Sequence, residues 1–275
     1  MGDLEHDTTP SGSEGRYSIV ISPDWKVWGP NGGYMAAIAL RAAGMEARIE
    51  RPASIACHFL AMAKFEPAEI EVETVQRGRR AESFHVMIRQ GDRAILQAIV
   101  RAAVPADGVE HNYAPMPRVP EPEQLPSYHE IFADEQPPFA FWENIEGKPI
   151  EPDKVKKDPE PRDPPLIEWH RFQPTATFDD PWIDACRALV MIDTLSWPAA
   201  AMPHASREYM APNLDVVAWF HQSAADSEWL LSEHRSEIAA GGLIGTTSSV
   251  WAQDGRLVAT GGAQLMCLPG AELAG

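Results

Sequence analysis

Two stretches of this chain carry one pattern. Residues 88–105, IRQGDRAILQAIVRAAVP, and residues 251–269, WAQDGRLVATGGAQLMCLP, align when Arg93 is set on Arg256. Each has a polar turn, a basic residue and then an alternating apolar strand. The order upstream matches as well: an Ala-rich amphipathic helix, then four strand-like runs. A repeat this long implies two copies of one domain rather than a solenoid, whose units recur every ~20–50 residues. Duplicated domains pair, and the seam between the copies is the place to look for a site.

In the first copy, residues 16–22 read as a short strand and 25–33, WKVWGPNGG, as a loop broken by Gly and Pro. Residues 34–45 read as helix, because Met35, Ile38, Ala39 and Ala42 recur at i, i+3, i+4 and i+7. Strands are expected at 54–63, 68–76, 82–89 and 93–104, with hairpin turns at Gly78 and Gly91. The second copy repeats the order: helix over 181–191, a second helical segment from Asp193 to Ala201, then strands over 214–222, 229–238, 243–252 and 256–268. Sequential strands joined by tight turns favour antiparallel sheets, so the fold class is α+β, each copy a sheet wrapped on a helix. The expected division is a flexible N-terminal tail (1–15), an N-terminal repeat (16–104), a Pro-rich linker (105–138) and a C-terminal repeat (139–275).

With 44% hydrophobic residues the chain can bury a sizeable core. Its 40 acidic and 23 basic residues give a net charge of -17, which repels phosphate backbones and anionic lipid. Nucleic acid and membrane are therefore not expected partners. Apolar runs are broken by Arg41, Lys64 and Arg101 before ~18 residues accumulate. Cys57, Cys186 and Cys267 form no CxxC pair, which suits free thiols in the cytoplasm. The His residues show no HxxxH or HxH ligand spacing, and no GxSxG elbow is present. Neither a metal nor a cofactor is expected.

The repeat, the segment Trp28-Gly-Pro-Asn-Gly-Gly-Tyr-Met-Ala-Ala, the hairpin Gly78-Arg-Arg-Ala-Glu-Ser and, in the second half, Trp229-Leu-Leu-Ser-Glu-His-Arg-Ser and Asp254-Gly-Arg-Leu-Val-Ala-Thr with Gln264 resemble the type II (TesB-like) acyl-CoA thioesterases. The resemblance covers roughly residues 16–104 and 165–268. It implies a double hotdog, hydrolysis of a fatty or other acyl-CoA to free acid and CoA, and direct attack by a water on which an Asp, a hydroxyl residue and a Gln converge. By the same resemblance the Asp is Asp193, at the start of the second copy's central helix, and the Gln is Gln264. The hydroxyl position falls at Asn213, with Thr194 and Ser196 as other hydroxyl sources.

A carboxylate can accept the proton of an attacking water, and an amide can orient that water without charge. Gly32 and Gly33 suit close backbone approach to a thioester, and Arg79 and Arg80 suit CoA phosphates. The Asp193–Gln264 separation matches that of Asn31–Arg101 within one residue. On this spacing the internal symmetry sets Asp193 opposite the Asn31-Gly-Gly loop, and one asymmetric site per chain is expected. Two other readings stand beside the thioesterase: a hotdog enoyl-CoA hydratase or dehydratase, for which His204 is the His nearest Asp193 in sequence, and a non-catalytic acyl-CoA binder. Further pairing into a homo-oligomer is compatible with all three.

Overall fold

A computed structural model describes residues 1–133, 135–155, 160–204 and 209–269. The chain opens with helix α1 (Leu4–Thr8) and strands β1 (Ser11–Ser13) and β2 (Arg16–Val20), then the long helix α2 (Gly32–Glu46). Strands β3 (Pro52–Phe59), β4 (Pro67–Arg77), β5 (Ala81–Gln90) and β6 (Arg93–Ala103) complete the first half. Helix α3 (Tyr128–Ile131) and strands β7 (Ile145–Pro149) and β8 (Leu166–Phe172) lead to helices α4 (Pro181–Thr194) and α5 (Ser196–Ala201). The second half continues through β9 (Tyr209–Met210), β10 (Asp215–Phe220), β11 (Leu230–Ala240), β12 (Leu243–Ala252), β13 (Leu257–Gly262), β14 (Gln264–Met266) and β15 (Leu268–Pro269).

The two halves share one antiparallel sheet, ordered β1-β2-β4-β5-β6-β3-β10-β13-β12-β11-β8-β7. The order reads the same from either end once the repeat is allowed for, so the expected duplication is built into the pairing. The seam is the β3–β10 ladder, from His58 opposite Asp215 to Ser54 opposite Trp219. Tight turns set the hairpins. Gly241 and Gly242 both take positive φ (61° and 81°) between β11 and β12, a conformation that side chains resist.

On the concave face lie α2 and α4, antiparallel and in contact. A Cβ on Gly33 would stand 2.7 Å from the Cα of Val190, and one on Gly44 would stand 2.7 Å from the Trp182 ring. Glycine and alanine on α2 permit this approach, and Ala36, Ala37, Ala39, Ala42 and Ala43 are all fully buried. The N-caps are Asn31 and Asp180, whose side chains accept from the N–H groups of Tyr34 and Trp182.

Three expectations change. Residues 1–15 include α1 and β1 and bond back onto the body of the fold. Leu4 is buried, the Gly2 N–H donates to the Asn144 side chain at 2.6 Å, the Trp25 indole donates to Asp7 at 2.9 Å, and β1 pairs with β2. One apolar anchor and a few charges suffice when the body supplies their partners.

The Pro-rich segment is more than a connection. Around Ala114–Leu125 it crosses the outer face of the second half, where Pro120 and Ala114 carbonyls accept from the Trp169 and Trp251 indoles. Leu125 packs there with Trp169, Trp229, Leu231 and Trp251. Proline lacks an N–H, so its free carbonyls are natural acceptors for buried indoles. The expected strand over 256–268 is divided into β13, β14 and the start of β15, although the pairing on β12 keeps one register from Ser248–Gly261 to Gly245–Gln264; a Cβ on Gly261 or Gly262 would stand 2.1 Å from the Val217 or Thr246 carbonyl oxygen. Residues 270–275 of the expected C-terminal repeat lie outside the described residues.

Candidate active site

The antiparallel helices bring the last turn of α4 onto the first turn of α2. Asp193 is the penultimate residue of α4, not the start of a helix as expected. Helical bonding runs on through this point, with the Leu195 N–H donating to the Met191 carbonyl at 3.1 Å; the Thr194 hydroxyl also donates back to the Val190 carbonyl at 2.7 Å and the Ser196 hydroxyl to the Ile192 carbonyl at 2.9 Å. The Asp193 side chain is 4% exposed. Its Oδ2 accepts the Gly33 N–H at 2.6 Å, and its Oδ1 accepts the Asn213 amide at 2.6 Å. The same amide donates to the Asp193 main-chain carbonyl at 2.9 Å, which fixes Asn213 on the helix end.

No ion pair reaches this carboxylate among the described residues. Burial pushes its pKa up from 3.8 to about 6, while the Asn213 and Gly33 hydrogen bonds hold it down. The α2 N-terminus, with its partial positive charge, adds an environment that tolerates the anion. A carboxylate of this kind is ionised at neutral pH yet more basic than a solvated one.

Gly32 is the point of closest approach. A Cβ there would meet both Asp193 carboxylate oxygens at 2.8 and 2.9 Å and the Phe59 ring at 3.0 Å. In the first turn of α2 the Gly33 N–H is taken by Asp193, Tyr34 by the Asn31 side chain and Met35 by the Asn31 carbonyl. The Gly32 N–H has no hydrogen-bond partner among the described residues, and Gly32 is partly exposed. The glycines expected at a thioester therefore divide: Gly33 holds the carboxylate, and Gly32 keeps a free donor beside it. Just before α2 a Cβ on Gly29 would stand 3.2 Å from the exposed Met62 side chain.

Asn31 ties the site together, and its role was not anticipated. Besides capping α2, its amide donates to the Thr194 hydroxyl at 3.0 Å. The signal in the sequence is an N-cap Asn directly before Gly-Gly. Thr194 and Ser196 are thereby committed, the latter to Ile192 and to the Thr246 hydroxyl at 2.9 Å.

The other expected residues stand apart. The Gln264 side chain is exposed and makes no hydrogen bond among the described residues, because Ala263 and Leu265 take the inward positions of the strand. Its backbone is close to the site: the Gln264 carbonyl accepts from Leu214 at 2.7 Å, its N–H donates to Asp215 at 3.0 Å, and Leu265 bridges Asn213. Arg79 and Arg80 are exposed on the β4–β5 hairpin. That hairpin lies at the C-terminal end of α2, where Arg77 donates to the Glu46 carbonyl, so the length of the helix separates both from Asp193. His204 is exposed and has no hydrogen bond with Asp193 among the described residues.

Counted from the two N-caps, Asn31 corresponds to Asp180 and not to Asp193, whose counterpart is Gly44. The position that matches Asp193 thus has no carboxylate, and the Trp182 ring packs over it. No cluster of three or more His, Cys, Asp or Glu suited to a metal occurs among the described residues, and no helix there is long and apolar enough to cross a membrane.

Two wrapped helices joined through one continuous sheet define a double-hotdog protein. Residues 21–104 match the acyl-CoA thioesterase N-terminal domain and residues 117–267 the acyl-CoA thioesterase C-terminal domain. The chain belongs to the acyl-CoA thioesterase family and is a thioester hydrolase.

Solved structures of similar fold include a hotdog-fold protein of unknown function from Alicyclobacillus acidocaldarius, at 21% identity and TM-score 0.83 over 96% of this chain and 97% of that one. Acyl-CoA thioesterase II TesB2 from Mycobacterium marinum is 22% identical, with TM-score 0.79 over 97% of both chains. The tesB protein of Mycobacterium avium subs paratuberculosis is 22% identical, with TM-score 0.79 over 97% and 98%. Comparison with curated proteins finds no match.

Proposed function

We propose that this chain hydrolyses acyl-CoA thioesters by direct attack of a water on the thioester carbonyl, with Asp193 as general base. The observation that carries the proposal is the buried Asp193 carboxylate, held by Gly33 and Asn213 beside the unbonded Gly32 N–H. Asp193 takes one proton from the water as its oxygen bonds to the carbonyl carbon. The developing oxyanion is met by the Gly32 N–H at the positive end of α2. When the tetrahedral carbon expels the CoA sulfur, the proton on Asp193 passes to the thiolate, and acid and thiol leave. Asn213 positions the carboxylate with its amide, and its Oδ1, unbonded among the described residues, is available to the water. Gln264 acts through its backbone, and Arg79 and Arg80 have no part in this arrangement.

The hydratase reading requires a His at the carboxylate, and none of the described His residues bonds to Asp193; the geometry favours hydrolysis. Thiol release from a panel of acyl-CoAs tests the proposal. Asp193→Asn is expected to lower kcat on the order of 10²- to 10⁴-fold. Gly32→Ala, whose methyl would collide with the carboxylate, is expected to lose activity while keeping its circular dichroism. Undiminished turnover in Asp193→Asn would overturn the assignment.

A further inference from the structure

The Gly32 N–H lies in the peptide plane that joins Asn31 to Gly32, so the backbone of Asn31 sets where that donor points. Four residues hold Asn31 in place. Its carbonyl accepts from Met35 at 3.1 Å and its side chain from Tyr34 at 2.9 Å, both within α2, while its amide donates to Thr194 at 3.0 Å. The fourth bond leads away from the site: the Asn31 N–H donates to the Trp25 carbonyl at 2.9 Å. Asp180, the N-cap of α4, has no partner for its N–H among the described residues. Of the two helix starts, the one that offers a free donor is the one held from behind.

Trp25 is itself gripped on several sides. It is fully buried, with its ring stacked on Tyr34 at a centroid separation of 5.2 Å and edge-on to Phe141 at 5.9 Å. The indole N–H donates to Oδ2 of Asp7, on α1, at 2.9 Å, and the Asp7 main-chain carbonyl accepts from the Tyr34 hydroxyl at 3.0 Å. Asp7 therefore holds both rings of the stack. Its Oδ2 also takes the Asp3 N–H at 3.0 Å, and fully buried Asn144 joins the Gly2 N–H to the Asp24 carbonyl beside Trp25.

Among the described residues Asp7 meets no Lys or Arg, and its one ionisable partner is the exposed His6 ring at 3.0 Å. The Asp7 side chain is 12% exposed. Taking a carboxylate out of water without a full counter-charge is costly, and a neutral side chain could pin α1 at less cost. What the charge adds is a stronger bond to the indole, because an ionised acceptor roughly doubles the strength of a hydrogen bond. That strength falls on the residue whose carbonyl holds Asn31.

Resting on the hydrolysis reading, we propose that Asp7 is a positioning residue for the reaction: through Trp25 and Asn31 it aims the Gly32 N–H at the oxyanion, without touching substrate. A hydrogen bond weakens steeply as its angle departs from linear, so a small tilt of the Asn31–Gly32 peptide lowers transition-state stabilisation. The donor acts on charge that is absent from the bound substrate. Loss of the brace therefore slows kcat and spares KM.

The test sets Asp7→Ala, Asp7→Asn, Trp25→Phe and the double variant Asp7→Ala/Trp25→Phe beside wild type and Asp193→Asn. Thiol release from acetyl-, decanoyl- and palmitoyl-CoA gives kcat and KM, and thermal melts give stability. Hydrogen exchange over residues 28–36 is followed by mass spectrometry on the free protein. Asp7→Ala is expected to lower kcat about tenfold with KM within about twofold, a fraction of the loss when an oxyanion donor is removed outright. Asp7→Asn, whose amide oxygen still accepts from the indole, is expected to keep about half of kcat. Trp25→Phe keeps a ring in the stack but loses the donor, and should match Asp7→Ala. The double variant should be no slower than Asp7→Ala alone, because both changes break one bond. Exchange over 28–36 should quicken about threefold or more in Asp7→Ala. If Asp7→Ala fails to fold, Trp25→Phe serves in its place for both kcat and exchange.

Asp193-dependent turnover with kcat unchanged in Asp7→Ala and Trp25→Phe would overturn the inference and leave the hydrolase standing. Melting temperatures that fall while kcat per folded chain holds would reduce Asp7 to a tether and overturn it too, as would losses that add in the double variant. Faster exchange over 28–36 in Asp7→Ala, with no acyl-CoA turned over by wild type, would support the brace and sink the hydrolase.

Discussion

Asp193 holds its charge against the fold. Its pKa of about 6 lies above the 3.8 of a free aspartate because burial penalises the anion more than Gly33 and Asn213 relieve it. The folded chain therefore binds this proton more tightly than the unfolded chain. Below pH 4 the group carries no penalty; as pH rises through about 6 it comes to oppose folding, by about 3 kcal/mol for a shift of this size. Activity has the opposite sign, since only the anion accepts a proton: kcat/KM is expected to rise through pH 6 and level above it. Asp193→Asn cannot titrate. Melting temperatures measured from pH 7.5 to pH 5 should therefore move in favour of the wild type relative to that variant. A constant gap would mean that the carboxylate is not perturbed.

At the scale of elements, two antiparallel helices and the alternation of the last strands decide which residues meet. The Gly-Ala face of α2 lets α4 approach until a helix end of one copy caps a helix start of the other. β13 and β14 keep one register on β12, and plain alternation turns Ala263 and Leu265 inward and Gln264 outward, while Asn213 is turned to Asp193. Register supports this, since Gln264 takes the place that Arg101 holds in the first half, and both are exposed. Asn213→Ala is expected to cost roughly 10- to 100-fold in kcat/KM, the loss of a hydrogen bond to a buried charge. Gln264→Ala is expected to stay within about twofold, as exposed substitutions do. Thiol-release kinetics on the two variants separate these outcomes, and a large effect at Gln264 would place its side chain in the chemistry.

Over the whole molecule the duplication is structural and the chemistry is not. Gly44 under Trp182 stands where a second carboxylate would be, so a non-hydrolysable acyl-CoA thioether should titrate at one equivalent per chain. Two equivalents of equal affinity would contradict the asymmetry. The halves also differ in cover. The second is strapped on its outer face by the proline-rich segment around Leu125, while α1 and the residues before it bind back onto Trp25 and Asn144.

The sequence by itself determined the duplicated α+β fold, the two helices and most of the strands, because apolar periodicity and turn residues act over a few neighbours. It also singled out Asp193, Asn213 and the Gly32-Gly33 turn, on family resemblance and the conformational freedom of glycine. Only the tertiary structure decided that Asp193 ends a helix instead of starting one, and that Gly33 is spent on it while Gly32 is free. It likewise placed the N-terminal residues against Trp25 and Asn144. Those outcomes depend on contacts between residues far apart in the chain, which leave no periodic trace in the sequence.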